Sequence, residues 1–95
     1  MNNNTEISEE EISVAAYYIW EKQHPYEILC WYLAERELYI KKGFQKPTKK
    51  MTRQRAGQIF SEHPPYDVLC WIIGKYNVVI SQNLPNQHEI SSLSE

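Results

Sequence analysis

The chain has 95 residues, 42% hydrophobic and 23% charged, with a net charge of −2. That balance suits one small globular domain with a modest core and excludes a wholly disordered chain. Three glycines are too few for a turn-rich all-β fold, and the near-neutral charge speaks against a dedicated nucleic-acid binder, for which a strongly basic domain is expected.

In chain order, residues 1–6 are polar and are expected to fray. Ser8 and Glu11 then form a capping box, with Ile7 and Ile12 at the staple positions and Glu9, Glu10 and Glu11 at the positive end of the helix dipole. Ile12, Ala16, Ile19, Trp20 and Gln23 follow helical spacing, so a first helix is expected at about 9–23. Pro25 stops it and suits the first turn of the next. Leu29, Leu33, Arg36 and Ile40 share one face, and Glu37 and Lys41 form a pair four residues apart in the favourable order. Gly43 is a natural end residue, placing helix 2 at about 26–42. Residues 43–47 read as a linker. Thr48 can cap a third helix at about 49–62, with Thr52 as a rival cap. His63, Pro64 and Pro65 form a second elbow, and a fourth helix runs from Tyr66 to about Ser81. Gly74 and the β-type composition of 76–80 argue against its second half. The tail from Asn83 is Ser/Asn/Gln-rich and reads as disordered.

These elements are organised by a repeat. Pro-Tyr-Glu-Ile-Leu-Cys-Trp at 25–31 returns as Pro-Tyr-Asp-Val-Leu-Cys-Trp at 65–71, and residues 16–40 match 56–80 identically at eight of 25 positions. The chain therefore reads as two copies of one unit with period 40, at about 8–42 and 48–82, inside a single domain spanning 1–95. A short helical hairpin cannot bury its apolar side alone. The expected fold is all-α: a compact four-helix domain built from two pseudo-two-fold-related helical hairpins. That the helix at 36–40 is strongly helical favours helix for its copy at 76–80.

Function is less legible. No phosphate-binding, dinucleotide-binding or nucleophile-elbow motif occurs, so no catalytic residue is assigned and a non-enzymatic role is expected. Cys30 and Cys70 with His24 and His63 make a zinc site conceivable, but their spacing fits no standard finger. Each cysteine precedes a tryptophan in an apolar run, where a small buried thiol is the ordinary outcome. No metal or cofactor is expected. Seven of the ten basic residues lie in one window: Lys41, Lys42, Lys46, Lys49, Lys50, Arg53 and Arg55. Those opening helix 3 oppose its dipole, a local cost that hints at an acidic protein surface or nucleic-acid phosphate. Phe44 could add stacking to the latter. The alternatives are a solvated loop, or one that pairs with the chain's own acidic helix. Trp20, Trp31 and Trp71 read as core or half-core. Seven tyrosines are too many to hide, and Tyr17 and Tyr18, adjacent on one helix, point different ways. The absence of an early apolar segment favours the cytoplasm, with both cysteines reduced. The longest apolar run, six residues, is far short of the ~20 needed to cross a bilayer.

Ala16-Tyr17 and Trp20-Glu21, followed by Trp31, Ala34-Glu35 and Leu38, resemble the motif of a small bacterial helical domain family of uncharacterised function. The resemblance covers 14–38, with a shorter spacing between the tryptophans and without the family's glycines between the helices. It implies helices and no known activity. The expectation is a small protein-interaction or adaptor module. It would bind a protein partner, acidic or a second copy of itself, through Tyr17, Tyr18 and the seven bases. The alternative is a nucleic-acid-binding regulator using the basic 41–55 segment.

Overall fold

The computed structural model describes residues 7–83. The expectations for residues 1–6 and for the tail beyond 83 fall outside them. Four helices follow in order: α1 (Glu9–Glu21), α2 (Tyr26–Lys41), α3 (Lys49–Glu62) and α4 (Tyr66–Asn83). Among the described residues there is no strand, and 76–80 is helical.

The local reasons are visible at the ends. Ser8 accepts from the Glu11 amide and Thr48 from the Met51 amide, both at 3.1 Å, leaving helix-start donors satisfied. Thr52 is not the cap. It is buried where Ile12 stands in the first copy, and its hydroxyl donates to the Thr48 carbonyl at 2.9 Å. At the end of α2, Gly43 takes φ 71° and the Phe44 amide donates to the Tyr39 carbonyl at 2.7 Å. This is a Schellman closure, and the Phe44 ring packs on Tyr39 at 5.9 Å. Phe44 is therefore half-buried in a small cluster with Tyr39, Ile40 and Ile80, rather than presented for stacking. α1 ends two residues earlier than its periodicity suggests. Gln23 turns left-handed at φ 54° and its side-chain amide donates to the Trp20 carbonyl at 2.8 Å. His63, forty residues on, adopts the same left-handed turn at φ 55°.

Packing is exchanged between the copies. α1 lies on α4, α3 lies on α2, and α2 and α4 cross at the centre; α1 does not pack on α2, nor α3 on α4. Each hairpin is thus open, and each arm is covered by the other copy. The pseudo-two-fold is exact enough to repeat hydrogen bonds. The Tyr26 hydroxyl donates to the Pro64 carbonyl, and the Tyr66 hydroxyl donates to the His24 carbonyl at 2.6 Å. One core cluster holds Ile19, Leu29, Cys30, Leu33, Ala34, Ile59, Leu69, Cys70 and Ile73. Leu29 and Leu69 are fully buried, each contributing roughly 1.5–3 kcal/mol by leaving water. Arg36, on the same face as Leu29 and Leu33, is also fully buried. Its Nε donates to Asn77 Oδ1 at 2.8 Å, tying α2 to α4, and its guanidinium lies 5.1 Å from the Tyr32 ring centre. Pairing inside the fold is what makes a buried arginine tolerable.

Candidate functional site: two equivalent grooves

The exchanged packing leaves an open groove beside each seam. Ser13, Ala16, Tyr17 and Trp20 of α1 face Asp67, Val68, Cys70 and Trp71 of α4 around a volume of about 470 Å³. Arg53, Ala56, Gly57 and Phe60 of α3 face Glu27, Ile28, Cys30 and Trp31 of α2 around about 410 Å³. Every lining position of the first groove is a lining position of the second, forty residues away. Trp31 and Trp71 thus have like surroundings, as a duplication requires.

Both grooves are mostly apolar. Trp20 is 48% exposed and Trp71 38%, so these rings stand half-buried at the rim, the shallower of the core or half-core positions expected for them; Phe60, Ile28 and Val68 are similarly open. A tryptophan on a helical apolar stripe reads as core from spacing alone. The repeat register was the signal that could have found the grooves, since it pairs their walls residue by residue.

The cysteines form the inner wall of each groove and belong to the core as free thiols. Burial first, and the nearby Glu27 carboxylate second, push the Cys30 thiol above its ordinary range; burial and then Asp67 do the same for Cys70. Such thiols stay protonated at neutral pH and are poor nucleophiles and poor metal ligands. Tyr26 and Tyr66 are raised likewise, by burial and then by the neighbouring cysteine. His24 meets the Tyr32 ring edge-on at 5.0 Å and His63 stacks on Tyr26 at 4.8 Å. Among the described residues no three His, Cys, Asp or Glu side chains gather to hold a metal ion.

The expected partner-binding residues divide into groups. Tyr17 is 53% exposed on the α1/α4 groove, while Tyr18 is 58% exposed on the neighbouring strip with Val14, Glu10 and Glu11. Lys41 and Arg55 both turn to Glu37, at 3.2 and 3.0 Å, and Arg55 also donates to Gln58 at 3.0 Å. Arg55 thereby clamps α3 to α2, while the Lys41 pair lies within α2; neither involves the acidic helix α1. Lys42 and Lys46 are exposed around the linker. Lys49, Lys50 and Arg53 are exposed on the opening turns of α3, with Arg53 on the α2/α3 groove itself. The structure therefore brings one of the seven bases, Arg53, to a groove, with Lys49 and Lys50 exposed one turn earlier on the same helix.

No helix among the described residues is long and apolar enough to cross a membrane. No protein-family model, curated protein or solved structure matches the chain. The resemblance over 14–38 thus rests on its own motif.

Proposed function

We propose that the chain is a non-enzymatic protein-interaction module whose α2/α3 groove takes apolar side chains of a partner, with the partner's acidic groups facing Lys49, Lys50 and Arg53. The supporting observation is the groove itself: an apolar trough with exposed Phe60 and Ile28, and a cationic rim beside it. Aromatic anchors inside a polar rim are the usual anatomy of a docking patch. Tyr17 and Tyr18, exposed on α1 with Trp20, offer a second contact surface.

The test is capture from the native host by immobilised wild-type chain and by Gly57→Tyr, which replaces the notch in the groove wall with the ring its counterpart carries. A specific partner should be lost by at least about tenfold, a change of roughly 1.4 kcal/mol. Capture untouched by Gly57→Tyr and by joint reversal of Lys49, Lys50 and Arg53 to Glu would sink the proposal. The exposure of Lys42, Lys49, Lys50 and Arg53 also favours a second reading, a nucleic-acid-binding regulator. Binding of generic DNA or RNA that weakens steeply with salt is its signature, and no binding at low salt removes it.

A further inference from the structure

We infer that the occupant of the α2/α3 groove is the α1 face of a second copy of this chain. The inference rests on the reading of that groove as a protein-docking surface and names its partner. It is drawn from the differences between the two grooves, which share one template.

The first difference is charge. Glu9 and Glu10 open α1; the equivalent positions on α3 are Lys49 and Lys50. Ser13 on the α1/α4 groove is replaced by Arg53 on the α2/α3 groove. The opposite walls are alike, with Asp67 in one and Glu27 in the other. α1 thus opens on acids and its groove holds Asp67 as its charged residue, while α3 opens on two lysines and its groove sets Arg53 against Glu27. Two faces of similar build and opposite sign attract each other, most strongly at low salt.

The second difference is bulk. Tyr17 on α1 has Gly57 as its counterpart on α3, and nothing lies within 4 Å of a Cβ built on Gly57. One face thus carries a half-exposed aromatic where the other has a notch. Helical spacing puts Glu9, Ser13, Tyr17 and Trp20 on one stripe, and Lys49, Arg53, Gly57 and Phe60 on its equivalent. Acid and ring on the first stripe meet base and gap on the second.

The contact is heterologous, because the two faces it joins differ. Each bound pair keeps one free face of each sign, so association continues until a ring closes or the chain of copies runs on.

The test is sedimentation velocity of the full chain at low and high salt. Wild type should gain mass with concentration at low salt and return to monomer as salt rises. Glu9→Lys/Glu10→Lys turns the start of α1 basic like that of α3, and Lys49→Glu/Lys50→Glu/Arg53→Glu turns the α3 face acidic like that of α1. Each variant alone should stay monomeric, and an equimolar mixture should associate again. Circular dichroism checks that both remain helical. A wild type that stays monomeric at low salt overturns the inference, as does a mixture of folded variants that fails to associate. The two levels separate cleanly. If wild type is monomeric yet Gly57→Tyr abolishes capture of a host protein, the groove docks protein and only the second copy is wrong. If wild type associates and Gly57→Tyr leaves that association intact, the groove is not the contact.

Discussion

The α1/α4 seam and the α2/α3 seam begin from the same pattern and end differently. At the first, α4 presents Gly74, and a Cβ there would sit 2.7 Å from the Ala16 backbone nitrogen. Only a bare Cα lets α1 approach that closely. At the second, the position belongs to Ala34, buried in the core, and the seam gains the Glu37–Arg55 clamp instead. Positions kept identical between the copies, Leu29/Leu69, Cys30/Cys70 and Ile19/Ile59, are buried. Positions that diverged, Ser13/Arg53 and Tyr17/Gly57, lie on the groove walls. The comparison teaches that the central contact of α2 and α4 kept its leucines and cysteines, while the groove walls carry both kept pairs, such as Trp31 and Trp71, and the diverged pairs that make the two grooves unlike.

The comparison can be broken most forcefully in the core. Leu29→Ala and Leu69→Ala should each cost about 2–5 kcal/mol, read from urea denaturation, and by similar amounts. Costs differing by more than about 2 kcal/mol would deny the halves their equivalence. Next come the two helical glycines. Gly74→Ala should destabilise by about 1–3 kcal/mol, because a methyl group meets backbone that cannot turn aside. Gly57→Ala, with open space around it, should instead stabilise by up to about 1 kcal/mol through helix propensity. Smaller still are Tyr26→Phe and Tyr66→Phe, each expected to cost about 0.5–1.5 kcal/mol for one lost hydroxyl donor. Matching losses in melting experiments would confirm the reciprocal bonds.

The pH dependence is a final check. Cys30, Cys70, Tyr26 and Tyr66 all hold their protons more tightly when folded. The unfolded chain therefore releases protons first, and alkali favours it. Stability should be full below the ordinary thiol value of 9.0 and fall as pH rises through it. Replacing both cysteines by Ala should flatten part of that decline. A melting temperature that rises above that pH would contradict the buried, neutral state of these groups.

Much of the fold was legible because it is written locally. Ser8, Thr48, Gly43 and the prolines act within a turn of themselves, and helical spacing needs no partner. Which arm packs on which was not legible. Closed and exchanged hairpins bury the same stripes, so the choice depends on crossings such as Ala16 against Gly74, distant in sequence. The basic segment was legible as a cluster, but its division was not. Arg55 is taken up by Glu37, eighteen residues away, while Arg53, two residues earlier on the helix, faces the groove. Tyr17 was legible as an exposed ring, but the depth of Trp20 and Trp71 was not: exposure is set by how far two helices diverge, and spacing along one helix does not encode that.

The exchange of arms has a mechanical consequence. Neither half can swing away while the other stays intact, because lifting α1 strips α4, and α4 is also what α2 leans on. Fraying at either seam spreads through the central crossing, so the backbone amides of α1 and α3 are shielded from solvent exchange about as long as the molecule as a whole survives.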